Sequence, residues 1–367
     1  MEKNTNKPSI RFAEFTDAWE QRKLGDVVQI TMGQSPDGST YSDEPSDYIL
    51  VQGNADLQNG WVCPRIWTTQ ITKKADAGDL IMSVRAPAGA MGKTAYNAVI
   101  GRGVAAIKGN EFIYQLLVKM DTDGFWKTLS CGSTFESLNS DNIKNAEVKI
   151  PTTAEQIKIG GLFQYLDNLI TLHQRKCDQL GNIKKALLEK MFPSQNEYTP
   201  RIRFKCFTDA WEQRKLNEIV SYASSSLSAK DAADDGKWNL YDANHLIGKT
   251  NLFFVRYDYI TIIKDGAGVG RVRLLPKNSA FIGTMGALLP LNSDLLFDYA
   301  LLTKADLSRK FSGSTIPHIY FKDYGNETYR TPLLLEQQKI GSLFERLDSL
   351  ITLHLAWVNS FKGGKND

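Results

Sequence analysis

Two stretches of the chain place apolar residues at alternating steps of three and four, the pattern of a helix with one buried stripe. Each stripe carries a histidine, His173 or His354, which we interpret as a polar residue that fixes coiled-coil register. The first stripe comprises Ile159, Leu162, Leu166, Leu169, His173, Lys176, Leu180, Ile183 and Leu187, and the second comprises Ile340, Leu343, Leu347, Leu350, His354, Trp357 and Phe361. We predict that these two helices pair with each other.

Proline and glycine set the expected limits of these helices. Pro151 and Pro332 precede them, and Pro193 ends the first. In the second helix, two glycines at 363 and 364 are expected to remove helix support. The second helix is therefore predicted to be short after its histidine.

Both helices belong to a long internal repeat. Residues 10–24 read IRFAEFTDAWEQRKL and residues 202–216 read IRFKCFTDAWEQRKL, an offset of 192. Residues 155–173 match residues 336–354 at an offset of 181, so the segment between the two matches is 11 residues shorter in the second half. Such self-similarity governs architecture, and each half is interpreted as a fixed frame around a variable insert.

The inserts read as strands, turns and one helix each. Residues 78–92 (GDLIMSVRAPAGAMG) and 257–271 (YDYITIIKDGAGVGR) combine apolar runs with glycine punctuation, which is typical of strands and tight turns. Helical apolar patterns follow in FIYQLLVKM and LLFDYALLTKADLSRKF, each ahead of a polar GST loop. We predict an α+β fold with two strand-rich domains at residues 9–152 and 200–334, separated by helices at residues 153–193 and 335–362 that pair as an antiparallel coiled coil, with pseudo-twofold repetition.

The decapeptide FTDAWEQRKL occurs unchanged at residues 15–24 and 207–216. A short helical cap is expected in each copy, with Asp17 and Asp209 as N-caps and Trp19 and Trp211 packing against the following domain. Identity over ten residues exceeds what packing requires. It indicates recent duplication or exchange of inserts between frames.

Composition and charge narrow the class of protein. The 367 residues are 42% hydrophobic and 23% charged, without an apolar run of membrane-spanning length or the apolar core of a signal peptide, which favours a cytoplasmic protein. The four cysteines form no CxxC pair, so disulfides and structural zinc are not expected. A net charge of +3 does not itself argue for nucleic-acid binding.

Candidate catalytic chemistry is sparse. Glu147 and Lys149 have the ExK spacing of many Mg²⁺-dependent nucleases, but the matching second-half residues are Thr328 and Arg330, and we favour a solvated strand edge. A P-loop at residues 86–94 is given little weight because Pro87 stands where that motif needs glycine. No catalytic residue or metal site is assigned.

The repeated frame resembles the specificity subunit of type I restriction-modification systems. The resemblance rests on WEQRKL, a GST loop in each insert, and PTTAEQIKIGGLFQYLDNLI with PLLLEQQKIGSLFERLDSLI, and it covers nearly the whole chain. It implies two target recognition domains, each reading half of a split double-stranded DNA sequence, held apart by the helices. The alternatives are a self-standing Mg²⁺ nuclease and an assembly scaffold without DNA contact.

The resemblance also implies partners and cofactors. Two modification subunits would bind S-adenosylmethionine and methylate adenine, and restriction subunits would use ATP and Mg²⁺. No cofactor is expected on this chain itself. The partners would dock on the two helices through the residues of the apolar stripes other than Lys176 and Phe361.

Candidate DNA contacts lie in the GST loops and near glycine turns. Hydroxyl groups in polar loops hold phosphate, and arginine or lysine can bind phosphate or read guanine, although helix capping and solvated surface charge are open alternatives. The candidates are Arg85, Lys93, Ser133, Thr134, Lys264, Arg271, Arg273, Ser314 and Thr315.

Overall fold

The computed structural model describes residues 7–130, 137–194, 197–313 and 317–366. Residue contacts divide the chain into two compact units. The first unit is Met1–Thr171 with Phe361–Asp367, and the second unit is Leu172–Ser360. Each unit contains one copy of the repeated frame and its insert.

The first unit is built on two sheets and a short strand pair. A six-stranded sheet has the order β2-β12-β9-β10-β6-β5, a five-stranded sheet has the order β3-β7-β4-β11-β8, and β1 pairs with β13. The strands are β1 (Glu20–Lys23), β2 (Gln29–Met32), β3 (Tyr41–Ser42), β4 (Tyr48–Val51), β5 (Leu57–Gln58), β6 (Trp61–Val62), β7 (Ile66–Thr68), β8 (Lys73–Ala75), β9 (Leu80–Ser83), β10 (Met91–Lys93), β11 (Ala98–Ile100), β12 (Val104–Lys108) and β13 (Glu147–Ile150).

The apolar run of β9 is buried on both faces of its sheet. Leu80 and Met82 point into a core that also contains Phe112 and Trp126, whereas Ile81 points into a second core. This alternation explains why the run lacks polar positions. The helices of this unit are α1 (Glu111–Thr122), α2 (Phe125–Leu129) and α3 (Ser140–Lys144), followed by α4 (Thr153–Lys190), which continues into the second unit.

The second unit repeats this plan with fewer strands. A four-stranded sheet has the order β15-β21-β18-β19, a three-stranded sheet has the order β17-β16-β20, and β14 pairs with β22. The elements are β14 (Glu212–Lys215), α5 (Leu216–Ile219), β15 (Val220–Ser224), β16 (Trp238–Tyr241), β17 (Leu246–Thr250), β18 (Tyr259–Ile263), β19 (Val272–Leu275), β20 (Ser279–Phe281), β21 (Met285–Pro290), α6 (Leu295–Ala305), α7 (Phe321–Tyr324), β22 (Thr328–Thr331) and α8 (Leu334–Asn366). The predicted α+β class, with two strand-rich domains and two long helices, is confirmed.

The repeated decapeptide forms a strand, so the predicted helical cap is wrong. Residues 20–23 pair antiparallel with residues 147–150, and residues 212–215 pair in the same way with residues 328–331. The neighbouring strand satisfies the backbone groups that a helix would have bonded internally, and neither Asp17 nor Asp209 caps a helix. The tryptophans do pack as expected, Trp19 against Phe112 and Trp211 against Phe297.

Within the second unit, α4 and α8 pair antiparallel. His173 contacts His354, Cys177 donates to the carbonyl of Ile351, and Lys184 forms an ion pair with Asp348, so position rises along α4 as it falls along α8. The Nδ1 atoms of the two histidines are 2.8 Å apart, which requires one to donate and the other to accept. The indole of Trp357 stacks on His173 at 5.6 Å and 11°.

The contact face of these helices follows the predicted stripe at some positions, among them His173, Leu180 and Ile340, and lies one residue beyond it at others. Along α4 it uses Cys177 and Lys184, where Lys176 and Ile183 were expected, and Ile183 is 49% exposed. Along α8 the fully buried positions include Phe344 and Val358, one residue beyond two of the predicted ones, and the predicted Leu350 is 44% exposed. Steps of three and four land on adjacent positions of a broad apolar face, so periodicity alone could not fix which one meets the partner.

Helix α8 runs to Asn366, through the two glycines that were expected to end it. Glycine lowers helix propensity by about 1 kcal/mol relative to alanine but keeps its N–H, so it weakens a helix without breaking the hydrogen-bond ladder. No described helix is both long and apolar enough to cross a membrane.

Candidate nucleic-acid interface

A buried ion pair joins the two ends of each repeat. The guanidinium of Arg11 donates to both carboxylate oxygens of Glu155 at 2.7 Å, and Arg203 does the same to Glu336 at 2.7 and 2.8 Å. Glu155 and Glu336 are 0% and 1% exposed. Hydrogen bonds from Arg11 hold the pKa of Glu155 below its usual value, and the hydrogen bond to Glu336 raises the pKa of Arg203. We name these two pairs the frame clamps.

The glutamine that follows the glutamate of each frame clamp is hydrogen-bonded to the start of a helix of the insert, α1 or α6. Gln156 donates to the carbonyl of Pro151 and accepts from the side chain of Asn110, the N-cap of α1. In the second unit, Gln337 donates to the carbonyl of Pro332 and accepts from the backbone N–H at 294, which precedes α6. The repeated Glu-Gln dipeptide thus holds each frame to its insert. Sequence reasoning missed this role, although IRF and EQ recur together in both halves.

In the first unit, the structure places Arg85 beside the chain that leaves the GST segment. Arg85 lies in the exposed loop after β9, and its backbone bridges to Ser137. One residue on, the N–H of Leu138 donates to the carbonyl of Val84 at 2.9 Å. Ser133 and Thr134 lie outside the described residues, as do Ser314 and Thr315 in the second unit. The loop after β9 and the residues after the GST segment therefore form one edge.

The second unit repeats this juxtaposition. Asp265 bridges to His318, and the N–H of Ile319 donates to the carbonyl of Lys264 at 2.9 Å. The next glycine, Gly266, donates to the carbonyl of Pro317. The ammonium of Lys264 lies 3.3 Å from the carboxylate of Asp265, with 29% of its side chain exposed. We call the two edges the paired loops: residues 84–86 with 137–138, and residues 264–266 with 317–319.

Two arginines of the second unit brace the neighbouring turn. Arg271 is exposed and donates to the carbonyl of Ala243 at 2.6 Å and to Asn244 Oδ1 at 2.5 Å. Arg273 is half-buried, with its guanidinium 5.4 Å from the ring centre of Tyr241. Its Nη1 is buried and has no hydrogen-bond partner among the described residues. Both guanidinium groups therefore lie beside the turn at residues 242–245.

Lys93 occupies a different environment from the other candidates. Its ammonium is 2.9 Å from Glu111 and lies over the rings of Tyr114 and Trp61 at 4.4 and 5.0 Å, with 13% of the side chain exposed. Burial raises the pKa of Tyr114 to about 12. Lys93 is committed to this internal cluster and is not beside Arg85 in the paired loops.

The nuclease pattern lies on the edge of a two-stranded pair. Glu147 is exposed on β13 and accepts from the side chain of Gln21 at 2.7 Å. Among residues 7–130, 137–194, 197–313 and 317–366, no group of three or more histidine, cysteine, aspartate or glutamate side chains could hold a metal ion. The geometry gives the nuclease hypothesis no support.

The two units thus define a repeated, strand-rich binding protein with a clamped frame and paired loops in each half. The profile of the family described as "Type I restriction modification DNA specificity domain" matches residues 16–182 and 208–356. The chain belongs to this family, as the sequence resemblance predicted.

Two curated relatives from Methanocaldococcus jannaschii are similar to this chain. The putative type I restriction enzyme MjaX specificity subunit is 28% identical over 202 residues, 52% of this chain and 45% of that protein. The type I restriction enzyme MjaIX specificity subunit is 24% identical over 385 residues, 90% of this chain and 86% of that protein. The chain therefore spans about 45% of the first relative and most of the second.

Solved structures show the same fold. The type I restriction-modification S subunit from M. genitalium superposes with a TM-score of 0.74 at 16% identity, covering 99% of this chain and 96% of that one. A chain from a study of complex assembly and conformational transition of the type I R-M system has a TM-score of 0.51 at 16% identity, covering 95% of both chains.

Proposed function

We propose that the chain is the sequence-reading subunit of a type I restriction-modification complex. Each strand-rich domain, at residues 9–152 and 200–334, reads one half of a bipartite double-stranded DNA target. The helices at residues 153–193 and 335–362 fix the gap between the half-sites. The observation that carries this proposal is the double match to the DNA specificity family, one match for each unit.

We propose the paired loops as the DNA-contacting edges. In both units a basic residue, Arg85 or Lys264, lies in a loop hydrogen-bonded to the residues after the GST segment. A basic side chain at such an edge is a group that can hold phosphate. Arg271 joins this set through its exposed turn, whereas Lys93 is left out because Glu111 and the rings of Trp61 and Tyr114 enclose its ammonium.

The chemistry belongs, in this proposal, to partner subunits. Residues 25–150 hold 11 Lys and Arg against 14 Asp and Glu, so the first domain alone supplies little net attraction for phosphate. Two modification subunits carrying S-adenosylmethionine would methylate adenine and surround the DNA. Restriction subunits would supply ATP- and Mg²⁺-dependent cleavage in the cytoplasm. This chain would be non-catalytic.

The affinity of the assembled complex for the DNA sequence that it methylates tests the role of the paired loops. Alanine at both Arg85 and Lys264 should weaken binding and reduce the slope of log K against log salt by about 2, because each lost phosphate contact removes about 0.9 from it. The double variant Lys176→Ala/Lys185→Ala, at exposed positions of α4, is the charge-matched control. An unchanged affinity and slope in the double variant would refute this assignment.

A further inference from the structure

A polar pocket opens beside β22 in the second unit. Its volume is about 450 Å³, which falls within the range of about 300–1,000 Å³ that is usual for small-molecule sites. Its charged lining residues are Lys304, Lys310, Arg330 and Glu327, and the exposed residue Thr328 lies among them. We call this cavity the basic pocket, because its lining has three cations and one carboxylate.

The carboxylate in the basic pocket already has partners. Glu327 forms an ion pair with Lys310 and accepts a hydrogen bond from the Tyr329 hydroxyl at 3.0 Å. The guanidinium of Arg330 lies 3.8 Å from the ring centre of Tyr198. Arg330 forms no ion pair among the residues that the structure describes, so its charge is not compensated by Glu327.

Lys304 is also without an ion pair in the described part of the chain. Its ammonium donates to the carbonyls of Phe192 and Pro193 at 3.1 Å each, which leaves one of its three N–H groups for another acceptor. Burial lowers the pKa of Lys304 more than the carboxylates of Glu189 and Glu197 raise it. A bound anion would stabilise this half-buried charge, because neutral carbonyls do not compensate it.

The sequence repeat aligns the basic pocket with a pocket beside β13 in the first unit. Residues 112–119 (FIYQLLVK) match residues 297–304 (FDYALLTK) at an offset of 185, and β13 matches β22 at an offset of 181. The first-unit pocket is lined by two cations, Lys7 and Lys149, and by two carboxylates, Asp123 and Glu147. It therefore has no net charge, whereas the basic pocket has a net charge of +2.

Replaced carboxylates account for much of this difference. Lysine or arginine is kept at two matched positions, whereas the two acids beside them become hydroxyl residues. The matched pairs are Lys119 with Lys304, Lys149 with Arg330, Asp123 with Ser308 and Glu147 with Thr328. In the first unit Asp123 pairs with Lys119 at 3.1 Å, so it competes with any bound anion for that ammonium. The second unit keeps the cations without these competitors, which favours anion binding.

We propose that the basic pocket binds a phosphate group carried by a small molecule. Arginine offers phosphate a planar pair of donors and lysine offers a point charge, so Arg330 and Lys304 supply the chemistry that this group needs. Thr328 adds a hydroxyl group to the same lining. A cavity of this volume suits a small ligand better than the phosphates on the convex surface of duplex DNA. The inference does not depend on the proposed function, because its ligand carries no base sequence.

Isothermal titration calorimetry of the full chain with inorganic phosphate, at an ionic strength held constant with sodium chloride, tests the proposal. We expect saturable binding at a single site. Thr328→Glu places the acid of the first unit in the basic pocket and should weaken phosphate binding by about tenfold or more, as should Arg330→Gln, which removes a charged donor. Because β13 carries Glu147 at the matched position, the Thr328→Glu variant is expected to fold.

The matched control is Lys149→Gln, at the position of the first unit that corresponds to Arg330, and it should leave the phosphate affinity unchanged. Equal losses in Lys149→Gln and Arg330→Gln would show attraction to the overall charge of the chain and overturn the proposal. An unchanged affinity in Thr328→Glu would place the phosphate elsewhere and also overturn it. If phosphate does not bind saturably, the proposal fails, and a lower DNA affinity of the assembled complex with Arg330→Gln would then assign the pocket to the DNA backbone.

Discussion

Replacing Asp298 by asparagine should flatten the pH dependence of the stability of the second unit. Asp298 lies in α6, is 0% exposed, and accepts a hydrogen bond from the hydroxyl of Ser293 at 2.5 Å. Its Oδ1 is buried without a hydrogen-bond partner among the described residues. Burial raises the pKa of this carboxyl from 3.8 to about 8. In the matched α1 helix the position is Ile113, also buried, so the fold does not need an acid there.

The sign follows from the number of protons bound in each state. Between pH 3.8 and about 8 the folded carboxyl keeps its proton and the unfolded one has lost it, so the free energy of unfolding falls as pH rises. The loss is about 1.4 kcal/mol per pH unit, or about 4 kcal/mol at pH 7. Above the folded pKa this residue adds no further slope.

Hydrogen exchange of α6 amides under mild denaturant measures this loss, and comparison at equal pH cancels intrinsic exchange rates. From pH 5.5 to 7.5, the stability of the wild type should fall relative to Asp298→Asn by about 3 kcal/mol. A constant difference in stability between the two proteins does not bear on this test, because the new amide needs its own hydrogen bonds. Asp323→Asn, exposed in the same unit, is the control. Parallel curves for Asp298→Asn and wild type would refute the reasoning.

Further predictions concern the frame and the spacer helices. Arg203→Ala should destabilise the second unit by about 3–5 kcal/mol, because Glu336 would remain buried without its partner. Calorimetry should show a melting point roughly 10 °C lower, with a smaller drop for Arg203→Lys. Equal drops for the two variants would contradict a clamp that depends on two hydrogen bonds from the guanidinium. Replacing residues 217–312 with the insert of a relative should change one half of the methylated sequence, and methylome data in which both halves change would contradict independent reading. One heptad added to each helix should lengthen the rise by about 10 Å, or roughly three base pairs, so that the recognised gap grows or binding fails while both half-sites keep their bases.

Local sequence patterns predicted the helices and strands better than they predicted the contacts between them. The apolar run at residues 80–83 and the helical pattern of FIYQLLVKM gave β9 and α1, because period and burial are encoded within a few residues. The decapeptide was misassigned, since the strand with which each copy pairs lies more than 110 residues away and the same residues also fit a helix cap. At some positions the contact face of α4 was offset by one residue for a related reason: the residue that meets α8 depends on the partner helix.

The candidate DNA-contacting residues fall in several different environments. Arg85 and Lys264 were chosen for their glycine turns, and the structure adds the backbone bonds that place both beside the residues after the GST segments. Lys93 followed the same rule, but Glu111 and two rings surround it, which no local pattern around residue 93 indicates. The frame clamps escaped detection because a buried arginine and a buried glutamate look like surface charges until their partners are known.

The frame clamps have a consequence for how freely the inserts can vary. Arg11 and Glu155 are 144 positions apart, and Arg203 and Glu336 are 133 apart, so each clamp closes a long loop of chain. Loop-closure entropy grows only with the logarithm of length, and by that relation the 11-residue difference costs under about 0.1 kcal/mol. The entropy cost of closing each loop therefore hardly depends on the length of the insert. An insert that folds on its own and brings its ends to β1 and β13 can gain or lose a dozen residues while the clamp that closes it stays the same.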